Sequence, residues 1–169
     1  MTTCSPTADL RKLSPAELEQ LGQQSLRKHL VAQAILARKK YGPLTADRLD
    51  TLLRDPDCLR YPVRIVYESG CMAPHQFAQP DMDWRNPEQY GRVLYVHPLL
   101  REKPELLPLA VAYMIPVINY GQIITDEHCL LYGSVLFDVA EDNFYEAICM
   151  LSEAVGAKPL IAAAKIEQM

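Results

Sequence analysis

The side chains in this sequence that could act as nucleophile, base or metal ligand are its histidines, cysteines, tyrosines and carboxylates, and their spacing limits the chemistry. His75, His97 and His128, with Cys71 or Cys129, are the residues that could converge on a metal, yet no pair has the i, i+4 helical spacing or the alternate-residue strand spacing of a preformed site. Cys71 and His75 fall on one face of an extended segment. There they stand about 13 Å apart, too far for a Cys–His nucleophilic pair unless the chain bends sharply at Pro74. His128 and Cys129 are adjacent and point about 100° apart on a helix, so they form no dyad. Asp126 and Glu127 follow Thr125 in a first helical turn, where the helix dipole accounts for both. No paired-carboxylate site, phosphate-cradling glycine loop or GxSxG elbow is present. The expectation is no metal and no cofactor. Five cysteines without a CxxC pair read as reduced thiols packed as small hydrophobes, which points to a cytoplasmic protein.

Composition narrows the partners. With 169 residues, 49% apolar and 22% charged, the chain is long enough for one domain with a real core. A net charge of −4 with scattered basic residues argues against nucleic acid and against an anionic membrane surface. The longest apolar run, 106–118, is short of spanning length and contains Pro108 and Pro116, so no membrane span is expected. "MTTCSPTADLRK" has no apolar stretch of the secretory type.

The elements that must position these groups follow from periodicity. Residues 1–13 read as disordered and 14–55 as two helices. Ser14, Pro15 and Glu17 form a helix start with a capping box, and Gly42 ends that helix. Leu18, Leu21, Leu26, Leu30 and Ala34 form the stripe expected to pack along the domain, with Glu19, Gln23, Arg27, Arg38 and Lys39 on a solvated face. Thr45 caps a second helix anchored by Leu49, Leu52 and Leu53, before breaks at Pro56 and Pro62. Residues 62–97 read as a small sheet: strand 63–67, an edge strand over 71–79 that tolerates Pro74, a polar loop holding Trp84, and strand 92–96 stopped by His97-Pro98. Residues 104–156 read as a helical core. Its first helix, Glu105 to about Ile118, is apolar nearly all round and so should be the most buried, with Met114 and Val117 as core residues. Asn119 or Gly121 can end it in a left-handed conformation, Thr125 caps the next helix, and helix 141–156 stops at Gly156 before a frayed tail, 157–169. The order gives an α+β fold, 1–169 as one domain, with a three-stranded antiparallel or mixed sheet and helices on one face.

Strands, a buried helix, a glycine turn and an acidic-plus-His segment stand in sequence in "GRVLYVHPLLREKPELLPLAVAYMIPVINYGQIITDEHCLLYG", residues 91–133. This order resembles the core of minimal zincin metalloproteases. In that family an HExxH helix supplies two zinc ligands and a general base. The resemblance places Tyr113-Met114-Ile115-Pro116-Val117 in the HExxH frame, with Tyr113 and Val117 for the histidines and Met114 for the glutamate. Valine and methionine cannot serve as ligand and base for a hydrolytic zinc, Pro116 would distort the helix, and Glu127 or His128 stands where a third ligand would, but one ligand does not hold a metal. The resemblance therefore implies an inactive relative. "RYP" before the first strand and "INYG" after the buried helix are similar to segments of uncharacterised bacterial proteins.

Two functional readings stay open. One is a non-catalytic binding protein on a zincin-like scaffold, taking a protein partner or a small ligand through its helical surface or through a cleft lined by His75, Tyr113, Asn119, Tyr120, Glu127 and His128. The other is an enzyme of unrecognised type using His75, Tyr113, Tyr120 or His128 near that cleft.

Overall fold

In the computed structural model, which describes residues 10–70, 72–81 and 91–167 and the side chains as far as Gly156, Ser14 opens helix α1 (Pro15–Tyr41) through the expected capping box. Glu17 N–H donates to Ser14 Oγ at 3.2 Å, and Ser14 N–H donates to Glu17 Oε2 at 2.7 Å, so two orphan donors of the first turn are satisfied. Ahead of it Leu10–Lys12 form one 3-10 turn, where the sequence reading had disorder. Gly42 ends α1 in an extended conformation (φ −77°, ψ 145°), not a left-handed one. A Cβ there would lie 2.6 Å from the Arg38 carbonyl oxygen, which explains the glycine.

α1 is only half anchored. Leu30, Ala34 and Ala37 are fully buried, but Leu18 and Leu21 are 41% and 40% exposed. The stripe expected to pack along the domain therefore stops at Leu26, which packs at the edge of the core. The reason is length. The 27 residues of α1 reach about 40 Å, whereas the helix it lies on, α5 (Asp126–Phe137), has 12 residues and reaches about 18 Å. Arg38 is not on a solvated face as the sequence suggested. Its guanidinium donates to the Val135 carbonyl at 2.8 Å and pairs with Asp138 at 3.2 Å, placing a cation at the C-terminus of α5.

After a 3-10 turn at Ala46–Arg48, the short helix α2 (Leu49–Arg54) buries Leu49, Leu52 and Leu53. The sheet comprises β1 (Val63–Tyr67), β2 (Ala78–Pro80) and β3 (Arg92–Val96) in the order β1-β3-β2. β1 pairs parallel to β3 and β2 antiparallel to it, so the sheet is mixed. Register puts Val63, Ile65 and Tyr67 beside Arg92, Leu94 and Val96, on the face that joins the core. The edge strand is shorter than the 71–79 read from sequence. Residues 72–76 form a turn instead, with Met72 N–H on the Ser69 carbonyl, Gln76 N–H on the Ala73 carbonyl, and His75 at φ 67°. Buried Arg92 donates to the Ile118 carbonyl and lies 4.8 Å over the Tyr61 ring, tying the sheet to the helical half.

A short helix α3 (Leu99–Glu102), absent from the sequence reading, leads into α4 (Leu107–Tyr120), which packs against β2 and α5. α4 buries Ala110, Val111, Ala112, Ile115 and Ile118. Met114 and Val117 are half-buried, so the expectation that they are core residues is corrected. Met114 packs against the core from its edge, one turn from Ala110 and Ile118. The helix runs on through Pro116. Gly121 ends it at φ 68°, ψ −137°, a conformation suited to glycine, while Asn119 stays helical. Together with flanking 3-10 turns, Pro104–Ile123 is long and apolar enough by length and composition to cross a membrane, a longer segment than the 106–118 run counted in sequence; 56% of its most apolar window is buried inside the protein.

The last helix, α6 (Glu141–Glu167), does not stop at Gly156 but continues through it, so the tail expected from 157 is helical as far as Glu167. The architecture is α+β, a small mixed sheet with helices covering one face.

Candidate functional site

The C-terminal end of α1 and the loop after α2 are held together by a charged network. Tyr41 Oη donates to Asp55 Oδ2 at 2.5 Å, and Lys40 Nζ reaches Asp55 at 3.0 Å and Asp57 at 2.8 Å. The Tyr41 hydroxyl, the Asp57 N–H and Lys40 hold the Asp55 carboxyl down at about 2. This network fixes residues 55–58. Asn119 then fixes residues 58–60 from the other side: its amide donates to the Cys58 carbonyl at 2.9 Å and accepts the Arg60 N–H at 3.0 Å. Asn119 is thus a positioning residue, with its donor and acceptor both engaged.

Between these walls lies an open cleft of about 480 Å³, lined by His29, Gln33 and Leu36 of α1, by Asp57, Cys58 and Arg60 of the loop, and by Tyr120 of α4. His29 Nε2 and the Tyr120 hydroxyl are hydrogen-bonded, and their rings meet edge-on with centroids 5.6 Å apart. Burial pushes the Tyr120 hydroxyl up, and the Arg60 charge opposes it. Among the described residues no carboxylate is within ion-pair distance of Arg60, whereas Asp57 is already engaged by Lys40. The free charge presented to the cleft is therefore a guanidinium. Burial and the Asp55 charge push the Cys58 thiol up to about 11, so it is a neutral thiol, not a nucleophile.

The six residues expected to share a cleft do not do so. Asn119 and Tyr120 meet here, but His75, Tyr113, Glu127 and His128 lie elsewhere. Tyr113 packs edge-on against Phe77 at 5.6 Å and donates to Asp126 Oδ1 at 2.7 Å; burial and that bond push its hydroxyl up. Glu127 is exposed in the first turn of α5. His128 is buried, and its Nδ1 accepts the Thr125 N–H at 3.0 Å, taking the place that Glu or Gln holds in a capping box. Burial and the Arg27 charge lower its pKa. His75 lines a second cleft with His97, between the 69–75 turn and α6. Cys71 and Trp84 lie outside the described residues, so the Cys71–His75 pairing has no placement here. Burial pushes the Cys129 thiol up to about 12, an inert core group. Among the described residues no cluster of three or more His, Cys, Asp or Glu is placed to hold a metal.

Sequence reasoning missed His29, Gln33 and Arg60. His29 and Tyr120 are 91 residues apart, and no local pattern marks their meeting. No protein-family model, no curated protein and no solved structure matches the chain.

Proposed function

We propose that this protein is a non-catalytic binding protein, on a zincin-like scaffold without a catalytic metal, that takes a small oxyanion-bearing ligand in the cleft between α1, the 56–60 loop and the end of α4. The observation that carries this reading is the Arg60 guanidinium, unengaged by any described carboxylate, beside the hydrogen-bonded His29–Tyr120 pair. A guanidinium matches a carboxylate or phosphate with two parallel N–H donors, and a phenol and an imidazole supply further polar contacts. The backbone around Arg60 is fixed beforehand by Asn119, which lowers the ordering cost of binding.

Calorimetric titration with malonate and with inorganic phosphate tests this. The wild type should bind at least one of them. A charge-assisted hydrogen bond is worth about 1.5–3 kcal/mol, so Arg60→Ala should weaken binding by roughly 10- to 100-fold. Unchanged affinity in Arg60→Ala, or no binding of either anion, removes the reading. The His29–Tyr120 hydrogen bond also favours a second reading, an enzyme in which this couple moves a proton. Hydrolysis of an activated ester that is abolished in Tyr120→Phe would support that one.

A further inference from the structure

His75 is fixed by three separate devices. Its backbone holds φ 67°, an uncommon conformation for a residue with a side chain. Its ring Nδ1 lies 3.3 Å from the Ser152 carbonyl oxygen, while Ser152 Oγ donates to the His75 carbonyl at 2.6 Å. Its ring also lies directly against α6 at Gly156, where a Cβ would stand 2.0 Å from Nδ1 and 2.3 Å from Cε1. A glycine within a helix and a left-handed histidine each oppose local preference, and together they serve to seat one imidazole.

The bonding favours one tautomer. A carbonyl oxygen only accepts, so Nδ1 is the donor in this contact, and the tautomer that makes it carries its lone pair on Nε2. The ring lines a cleft of about 420 Å³ whose apolar walls are Met72, Ala73, Pro74 and Val155, with Ser69, His97 and Gly156 completing it. Among the described residues no carboxylate, lysine or arginine lines it. Such a wall disfavours an ion and suits an apolar body with one polar head.

We infer that this second cleft, separate from the oxyanion cleft, is a binding site for a neutral aromatic molecule bearing a hydroxyl. The hydroxyl donates to His75 Nε2 and the ring packs on Met72, Pro74 and Val155. His75 is the residue that determines specificity there, by accepting a hydrogen bond that a hydrocarbon cannot give.

The probes are p-cresol and toluene, added to the full chain at neutral pH and followed by the imidazole resonances of His75 in NMR spectra. p-Cresol should shift them saturably, and toluene should bind at least tenfold more weakly. His75→Asn is the decisive variant. Asparagine tolerates the left-handed backbone and can donate from its amide to the Ser152 carbonyl, but it has no group where Nε2 stands. It should keep the fold and lose at least tenfold in p-cresol affinity, while Arg60→Ala should bind p-cresol as the wild type does. Equal affinity for p-cresol and toluene, equal p-cresol affinity in His75→Asn, or no saturable shift in the wild type would each overturn the inference.

Discussion

Replacing Gly156 by alanine sets two effects against each other. Alanine within a helix is favoured over glycine by about 1 kcal/mol. In the wild type, however, the new Cβ would stand 2.0 Å from His75 Nδ1, so the ring must leave. Leaving breaks the Nδ1–Ser152 contact at 3.3 Å and loosens the Ser152 Oγ–His75 bond at 2.6 Å. At about 1 kcal/mol each, these losses outweigh the helix gain by about 1 kcal/mol, and the variant should be destabilised by that amount. In a His75→Gly background the ring is absent and glycine takes the positive φ without cost, so Gly156→Ala should there stabilise by about 1 kcal/mol. The coupling between the two sites is then about 2 kcal/mol, measurable by urea denaturation of the four proteins in a double-mutant cycle. The same stabilisation in both backgrounds would refute the contact between His75 and α6.

Leu30→Ala, which empties a fully buried site, should cost about 2–5 kcal/mol, while Leu18→Ala on the overhanging part of α1 should stay within about 0.5 kcal/mol; thermal denaturation of both separates a half-anchored α1 from a fully packed one. Tyr113→Phe should cost about 1 kcal/mol in urea denaturation by deleting the 2.7 Å bond to Asp126, and Asp126→Asn should reduce that cost. The folded-state pKa of His128 is lowered by burial and by Arg27, so the unfolded chain binds a proton first as pH falls. Stability from this group is therefore present above the unfolded pKa of about 6.5 and declines below it. His128→Gln, which keeps a capping side chain, should flatten the fall in stability measured between neutral and mildly acidic pH.

What could be read from sequence was local. The Ser14–Glu17 box, strands 63–67 and 92–96, and the nearly all-apolar α4 are each specified by neighbouring residues. What could not be read depended on partners far along the chain. The exposure of Leu18 and Leu21 follows from the length of α5, and the continuation of α6 through Gly156 is linked to where His75 sits. Glycine reads as a stop when a helix is considered alone, but here it makes room for a ring. The cleft was half visible: Asn119 and Tyr120 were picked out, yet His29 and Arg60 join them only through the docking of α1 and the 55–60 loop. His128 looked like a remnant ligand because a capping box is usually closed by Glu or Gln, not by imidazole.

The direct test of the oxyanion reading is a map of amide and guanidinium NMR shifts as malonate is added at constant ionic strength. The rival cationic surface is the cleft of about 370 Å³ lined by Arg54, Arg64 and Arg92 at the start of the sheet. Saturable shifts should concentrate on Arg60, Tyr120 and His29, and Arg60→Ala should abolish them. Shifts centred on Arg54 and Arg64, or spread evenly over the surface arginines, would contradict the account.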